Sequence, residues 1–212
     1  MPLPAVEFYL TRHGQSQSNV EQIMAGSGHD SPLTRLGYEQ AAQLGKIIKT
    51  AGIRLNHICH SPLIRAAETA RVIHEYLESS FPLSAHDDIK EHFVGEWEGK
   101  PWGDFPEYGD LNYDPKGGET YAQFDARIKK GLAQALALPA PVLVVTHGGV
   151  IYSLGRLFGK KIPRIGNAQL LHFQPLNKSA GFPWQIHLLS LEENEVQRIA
   201  IEWPESITNA AR

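Results

Sequence analysis

The sequence has little of several features that mark common classes of protein. Its 212 residues include a single cysteine, so no internal disulfide can form, which suits a reducing compartment. No run approaches the roughly 18 apolar residues that span a bilayer, and the opening MPLPAVEFYL lacks the basic and apolar regions of a signal peptide. We therefore expect a cytoplasmic protein with no membrane partner.

An excess of positive charge is also missing. The formal net charge of −3 gives no reason to expect a nucleic-acid partner, and any anion-binding site must be local. A hydrophobic content of 42% and a charged content of 20% are typical of a globular protein with a substantial core. The length predicts a single domain over residues 1–212, and a homodimer is compatible with this composition. Cys59 lies in the apolar run HIC, which favours a packed thiol over a nucleophile.

Strand-like and helix-like segments alternate along the chain. Apolar and β-branched runs predict strands at 6–10, 57–61, 142–146, about 169–174 and about 185–191. Helical spacing and end signals predict helices from Thr34 to about Gly52, from about Pro62 to Tyr76, from about Thr120 to Leu138 and from Gly148 through Phe158. Residues 20–33 have the composition of a loop, and residues 82–118 form a long irregular segment that is typical of a lid or binding loop. This order predicts a layered α/β domain with a mostly parallel sheet.

Three of the predicted strands end in polar residues that lead into a turn or a helix. These ends are Arg12-His13-Gly14, His60-Ser61-Pro62 and His147-Gly148-Gly149. In open α/β sheets the ligand crevice lies outside the carboxyl ends of the strands. If the strands are parallel, His13 and His147 converge there although they are far apart in sequence.

Two imidazoles, two guanidiniums and the free N–H groups of helix starts would form a strong site for an oxyanion. Arg12 and Arg65 can both reach the crevice, and phosphate fits best because its non-bridging oxygens can use all of these donors. No acidic cluster supplies a magnesium cage, so the arginines would stabilise the charge. A neutral imidazole can attack phosphorus and form a phosphohistidine. Gly14 is expected to let the backbone approach the phosphate.

The leaving alkoxide in such a reaction needs a proton. A carboxylic acid close to a dianionic phosphate stays protonated near neutrality, because like charge raises its pKa. Glu91, in the irregular segment, is a candidate. Taken alone, however, Glu91 is most simply a solvated loop carboxylate, Arg65 a charge on a helix surface, and a histidine at a strand end a structural residue. The interpretation therefore depends on the combination.

That combination resembles the histidine phosphatase superfamily, the phosphoglycerate mutase-like enzymes. The similarity runs in family order through LTRHGQSQSN (10–19), DSPLTRLGYEQA (30–41), SPLIRAAETA (61–70), EHFVGEWEG (91–99), GGETYAQFDARI (117–128) and VVTHGGVI (144–151). The resemblance implies a three-layer sandwich with a mostly parallel central sheet flanked by helices. It also implies a metal-independent phosphatase that needs no cofactor.

The resemblance further implies a role for each matching residue. His13 would be the nucleophile, and Arg12, Arg65 and His147 would surround the phosphoryl group. Asn19 and the backbone of Gly148 would lie nearby, as substrate-binding groups. Glu91 would act as general acid and base, because it stands directly before the HFVGEWEG block.

Two departures from the family pattern bear on the substrate. Gln15 stands where the family commonly has glutamate, at a position that does not contact the reacting atoms. The loop AGSGH (25–29) differs from that of the mutases, and such loops hold the rest of the substrate.

Glu91 and His147 are 56 positions apart (147 − 91), whereas the resembled phosphoglycerate mutases carry a considerably longer insertion there. The shorter connection resembles the broad-specificity phosphatase branch and favours hydrolysis of small phosphomonoesters.

Three alternatives stay open at this point. The protein could be a phosphoglycerate mutase-type phosphotransferase, or a non-catalytic regulatory protein that binds phosphorylated ligands. A metal site built from the ten histidines is the third, although none shows the spacing of a zinc centre. The aromatic residues of the irregular segment have two interpretations, packing of that segment or lining of the substrate pocket; they are Phe93, Trp97, Trp102, Phe105 and Tyr108.

Overall fold

One seven-stranded sheet runs through the protein, with helices on both faces. The computed structural model describes residues 2–105, 110–177 and 181–204. The strands are β1 (Phe8–Arg12), β2 (His57–His60), β3 (Leu83–Ala85), β4 (Val142–Thr146), β5 (Leu170–Pro175), β6 (Trp184–Glu192) and β7 (Glu195–Ile201). The helices are α1 (Gln17–Glu21), α2 (Arg35–Thr50), α3 (Ile64–Tyr76), α4 (Tyr121–Leu136) and α5 (Gly148–Leu157).

The strand order β3-β2-β4-β1-β5-β6-β7 divides the sheet into two halves. In the first half, β3 pairs with β2, β2 with β4 and β4 with β1, and all three pairs are parallel. In the second half, the pairs β1–β5, β5–β6 and β6–β7 are antiparallel. The carboxyl ends of β1, β2 and β4 therefore lie at one edge, as the crevice argument requires. The α/β class with a helix-flanked central sheet is confirmed, and its parallel half is the part that carries the polar strand ends.

Alternation along the central strands explains the three layers. In β1, Phe8 and Leu10 pack into one hydrophobic cluster with α4 and α5, whereas Tyr9 packs into a second cluster with α2 and α3. In β4 the residues alternate in the same way and all five are fully buried. A strand covered on both faces needs apolar residues throughout, which is why VLVVT shows no polar face.

Threonine side chains cap the starts of α2 and α4. The Thr34 hydroxyl accepts a hydrogen bond from the Gly37 N–H at 3.1 Å, and Thr120 forms a capping box with Gln123. The start of α3 differs, because the helix begins at Ile64 and Pro62 lies before it. There the Ser61 hydroxyl accepts from the Leu63 N–H, so the turn precedes the helix rather than opening it.

Some elements were not predicted from the sequence. The short helix α1 ends at Glu21 and so overlaps the first two residues of the loop predicted at 20–33. The irregular segment contains β3 and the 3-10 turns Asp87–Ile89, Gly95–Trp97 and Trp102–Asp104. The chain also has a third antiparallel strand, β7, beyond the two segments predicted after residue 169. Its sequence alternates little because it lies at the sheet edge and is mostly exposed.

Candidate active site

His13 lies directly after β1, and its ring has one defined tautomer. Its backbone N–H donates to the Thr146 carbonyl at 2.8 Å, which continues the pairing of β1 with β4. The ring Nδ1 lies 2.7 Å from the Gly14 carbonyl oxygen, and because that oxygen can only accept, Nδ1 carries the hydrogen. Nε2 is therefore left with its lone pair, in a residue that is 3% exposed and lines a cavity.

The surroundings of His13 keep its ring neutral. Burial is the largest cause that holds the pKa of His13 well below its ordinary value, and the charges of Arg65 and Arg12 add to it. A neutral imidazole with a free Nε2 is the protonation state that can act as a nucleophile.

The two arginines are held by different parts of the chain. Arg65 is 2% exposed and donates from Nη1 to Asp30 at 3.0 Å and from Nη2 to the Gly26 carbonyl at 2.7 Å. Arg12 donates from Nη1 to the Ile165 carbonyl at 3.2 Å. Burial lowers the pKa of Arg65, while Glu91 and Asp30 oppose that shift. Both guanidiniums are thus positioned beside His13 before any anion binds, which limits the entropy lost on binding.

Asn19 presents a hydrogen-bond donor to the same cavity. Its side-chain oxygen accepts from the Ser16 N–H at 3.1 Å and from the Asn167 amide at 3.0 Å, which fixes the orientation of the Asn19 amide. The Nδ2 donor is then the group left for a ligand. The same Asn167 amide donates to the His13 main-chain carbonyl at 3.0 Å, so one residue contacts both the Asn19 side chain and the backbone of His13.

Glu91 reaches the site from the irregular segment and meets the start of α5. One carboxylate oxygen accepts from the Gly149 N–H at 3.1 Å, and the other accepts from the His92 N–H at 2.9 Å. A Cβ at Gly149 would overlap the Glu91 carboxylate, so glycine at this position is what gives Glu91 its place. The predicted convergence of Glu91 with His13, Arg12 and Arg65 is therefore observed, since all four line one cavity.

Arg127 holds the backbone that carries Glu91. Its guanidinium donates to the carbonyls of Asp88, Lys90 and Glu91 at 3.2, 3.0 and 3.1 Å. The same group forms a bidentate ion pair with Glu119, at 2.7 and 2.6 Å. Three carbonyls and one carboxylate thus fix the entry of the irregular segment, because the planar guanidinium offers five donors in a rigid geometry.

His147 lies beside His13, with the two ring centroids 5.2 Å apart, but it is fully buried. Its Nε2 is 2.7 Å from the Ser61 hydroxyl. Its Nδ1 is buried and has no hydrogen-bond partner among the residues that the structure describes. His147 is not among the residues that line the cavity, whereas Gly148, at the first position of α5, is.

The cavity itself has a volume of about 190 Å³ and opens outside the parallel strand ends. Its described lining residues come from the loops after β1, from α3, from the irregular segment and from α5. They are Arg12, His13, Asn19, Ile23, Met24, Ala25, Gly26, Arg65, Glu91, Val94, Trp102, Gly148, Gly149 and Tyr152.

Several sequence-based expectations are refined by this geometry. A Cβ at Gly14 would overlap the Gly37 carbonyl, so glycine at this position allows the close packing of its loop on α2, and its role in the approach of a phosphate stays a prediction. Gln15 accepts from the Thr34 hydroxyl at 2.9 Å and does not line the cavity, in agreement with its predicted place away from the reacting atoms. Ser61, Asp30 and Asn167 were missed; the first two lie inside the quoted motifs, whereas Asn167 carries no sequence signal.

The aromatic residues of the irregular segment divide between the two interpretations. Trp97 and Phe105 stack on each other with ring centroids 5.1 Å apart, and Trp97 belongs to a small hydrophobic cluster. Trp102 lines the cavity, while Phe93 is 39% exposed and does not. Tyr108 lies outside the described residues. Packing and pocket lining therefore both occur, at different positions.

Other candidate sites show no comparable arrangement. Burial raises the pKa of the Cys59 thiol to about 11, as expected for a packed thiol and not for a nucleophile. Within residues 2–105, 110–177 and 181–204, no group of three or more histidine, cysteine, aspartate or glutamate side chains is arranged to hold a metal ion. Likewise, no helix in the described ranges is long and apolar enough to cross a bilayer.

The protein has an α/β fold, and its site has the groups that bind an oxyanion. These groups are a neutral histidine at the end of a central strand, two fixed arginines and a carboxylate. The model of the histidine phosphatase superfamily (branch 1) matches residues 8–175 of this sequence. The chain belongs to that superfamily, which confirms the resemblance carried by the six motifs.

Known relatives include proteins named for both phosphatase and mutase activities. The chain is 34% identical over 128 residues to the Xenopus tropicalis fructose-2,6-bisphosphatase TIGAR, a match covering 57% of this chain and 46% of that protein. It is 36% identical over 147 residues to the uncharacterized phosphatase PhoE of Bacillus subtilis, covering 68% of this chain and 73% of that one. A crystal structure of a phosphoglycerate mutase from Thermus thermophilus is similar with a TM-score of 0.64 and 27% identity, over 79% of this chain and 92% of the other. The match thus spans about half of the frog protein's length.

Proposed function

We propose that this protein is a phosphomonoester hydrolase that acts on small phosphorylated metabolites through a phosphohistidine on His13. The observation that carries the proposal is the neutral ring of His13, whose Nε2 faces a cavity shared with Arg12, Arg65 and Glu91. The family membership and the phosphatase names of the relatives support the same reaction class.

The reaction would proceed in two displacements. Nε2 of His13 attacks phosphorus while Arg12 and Arg65 bind the non-bridging oxygens, and the bond to the ester oxygen breaks. Glu91, in its protonated form, gives its proton to the departing alkoxide. A water molecule then attacks the phosphohistidine and loses a proton to Glu91, which releases inorganic phosphate and restores both groups.

Three further groups would complete the phosphate site. The Gly148 N–H at the start of α5 has no intrahelical partner, and the Asn19 amide presents its Nδ2. His147 would donate from the buried Nδ1 that has no partner among the described residues, because a phosphoryl oxygen on His13 would satisfy it.

The chain would need no cofactor and would fold as one domain, since its single sheet takes strands from residue 8 to residue 201. A cytoplasmic location stays a prediction, as does the absence of nucleic-acid and membrane partners.

Trapping of the intermediate tests this proposal. Purified protein mixed with p-nitrophenyl phosphate should release phosphate between acidic and neutral pH. A ³²P-labelled phosphate ester should leave acid-labile, base-stable label on the protein, and His13→Ala should abolish both signals. Binding of phosphate esters without turnover would show a non-catalytic binding protein instead.

A mutase is the second candidate, because one structural neighbour carries that name. Incubation with 3-phosphoglycerate and a bisphosphoglycerate primer separates the two activities. We expect phosphate release to be faster than isomerisation, and the reverse order would establish the mutase.

A further inference from the structure

Two exposed aromatic residues line the mouth of the cavity around His13. Trp102 is 40% exposed, and its backbone N–H donates to the Gln22 carbonyl at 2.9 Å, which holds it beside the loop after α1. Tyr152 is 37% exposed and lies on α5, about one turn after Gly149, whose N–H donates to Glu91. Large exposed aromatic surface at a cavity is typical of a binding site, because such surface gains contact energy only when a ligand covers it.

The wall behind these two residues is also apolar. Met24 and Val94 are buried, at 7% and 2% exposure, and both line the cavity together with Ile23. The lining thus contains a set of hydrocarbon and aromatic side chains beside the charged ones. Asn19 adds a neutral amide donor to this lining.

The described lining of the cavity has few charged side chains. Among the described residues that line it, the cationic side chains are Arg12 and Arg65, and the phosphoryl group needs both. The acidic side chain of this lining is Glu91. A second phosphate or a carboxylate on the substrate would therefore lose its water without gaining a cation, which is costly.

The volume indicates the size of the group that the cavity can enclose. About 190 Å³ lies below the roughly 300 Å³ at which ordinary ligand pockets begin. An apolar cavity of about 150 Å³ can take one benzene ring. The cavity, which is open to solvent at its mouth, therefore suits a phosphoryl group with one ring-sized substituent.

We infer that the site selects phosphomonoesters whose organic part is a single apolar or aromatic group without a second negative charge. Trp102 and Tyr152 are the residues that make this selection, by covering the organic part once the phosphoryl group is bound. The inference rests on the proposed phosphatase activity and adds the class of substrate. It disfavours phosphoglycerates and bisphosphates as the best substrates.

Three esters of primary alcohols test this without a difference in leaving-group type. Phosphate release should be measured for 2-phenylethyl phosphate, glycerol 3-phosphate and 3-phosphoglycerate. We expect kcat/KM for 2-phenylethyl phosphate to exceed that for glycerol 3-phosphate by about tenfold, and 3-phosphoglycerate to be the poorest. Equal or better hydrolysis of 3-phosphoglycerate overturns the inference and leaves the phosphatase proposal standing. No release from any ester overturns the phosphatase proposal itself.

Variants at Trp102 connect the preference to its residue. In Trp102→Ala the ratio of kcat/KM for 2-phenylethyl phosphate over glycerol 3-phosphate should fall by about tenfold, and Trp102→Phe should restore most of it. Trp102→Lys supplies the missing cation and should raise the relative rate with 3-phosphoglycerate. Tyr113→Ala removes a 55% exposed aromatic residue from the same segment and should leave all ratios unchanged. A ratio that is the same in Trp102→Ala and wild type would refute the role of Trp102.

Discussion

His13 in the parallel half of the sheet and His172 in the antiparallel half are equally buried, at 3% exposure each. Burial is also the first cause of a lowered pKa in both. Their hydrogen bonds differ. At His172, Nδ1 accepts from Arg198 at 2.7 Å and Nε2 donates to Glu7 at 2.8 Å, so both nitrogens are used. At His13, Nδ1 is the ring nitrogen that has a hydrogen-bond partner among the described residues, and the ring lines the cavity.

The difference shows that burial and a shifted pKa do not by themselves identify a reactive histidine. Both histidines have charged neighbours, and both are held in one tautomer because an arginine can only donate and a carbonyl can only accept. What distinguishes the proposed catalytic region is a histidine that lines a cavity together with two arginines and a carboxylate. The antiparallel half has the same kinds of residue, but they satisfy one another.

Replacement of each histidine with alanine should give the largest difference in rate between the two regions. We expect His13→Ala to lower kcat by a factor on the order of 10⁴ or more, because the nucleophile is lost. His172→Ala should keep the rate and lose stability, since it removes a buried group that bridges Arg198 and Glu7. Steady-state hydrolysis and urea denaturation of both variants measure this. Comparable loss of rate in both would mean that His172 is also required.

The variant Glu91→Gln removes the proposed proton donor and keeps the proposed nucleophile, His13. The amide can still accept from the Gly149 N–H, so phosphate binding should persist. The chemical step should slow by roughly 10²–10⁴-fold, the usual loss for general acid catalysis. Phosphate binding by calorimetry and single-turnover rates separate the two effects. An unchanged single-turnover rate would remove Glu91 from the mechanism.

The adjacent glycines at the start of α5 form a matched pair. A methyl group at position 149 would overlap the Glu91 carboxylate, whereas one at position 148 would make ordinary contacts with Arg12. We expect Gly149→Ala to lower kcat by about 10²-fold, through displacement of Glu91. Gly148→Ala should raise KM more than it lowers kcat. Similar kinetics in the two variants would show that the contact of Glu91 with Gly149 is unimportant.

Arg127→Lys should have a smaller effect, because it acts on Glu91 through the backbone. Lysine keeps the charge but cannot bind three carbonyls and Glu119 at once. A fall in kcat of about tenfold with little change in KM is expected, together with a shifted acidic limb of the pH–rate profile. Glu119→Gln should reproduce part of the effect. A stability loss with an unchanged pH profile would assign Arg127 a purely structural role.

The pH dependence of stability should show the smallest difference. His13, His147 and His172 have pKa values lowered by burial, so the unfolded chain binds more protons than the folded one below about pH 6.5. Stability should be complete above that pH and fall as the pH decreases, by at most ~1.4 kcal/mol per pH unit for each histidine. His172→Gln should lower this slope and keep kcat. Denaturant midpoints between pH 5 and pH 7.5 provide the measurement, and an unchanged slope would contradict the argument.

Local chemistry explains which elements could be predicted. Thr34 caps α2 through its own hydroxyl. The strand VLVVT is buried because its residues pack on both faces of the sheet. Each feature depends on a few residues that are neighbours in the sequence. The edge strand β7 was missed because it is mostly exposed and its sequence alternates little, although its partner β6 is next to it in the chain. The turns of the irregular segment were missed because they depend on partners distant in sequence, such as the Gln22 carbonyl that accepts from the Trp102 N–H. Asn167 was missed for the same reason, since its amide meets the loop after β1 from 154 residues away.

The sequence by itself determined the candidate reactive groups, because the six motifs contain His13, the two arginines and Glu91 and show the family. It also determined the α/β order of elements through hydrophobic periodicity. Only the tertiary structure decided that Nε2 of His13 is the free nitrogen, that Gly149 gives Glu91 its place and that Arg127 holds its backbone. Only the tertiary structure likewise put Trp102 and Tyr152 at one cavity with two cations. Hydrogen-bond direction, steric overlap and shared cavity walls are properties of atoms brought together from distant parts of the chain, and no local pattern encodes them.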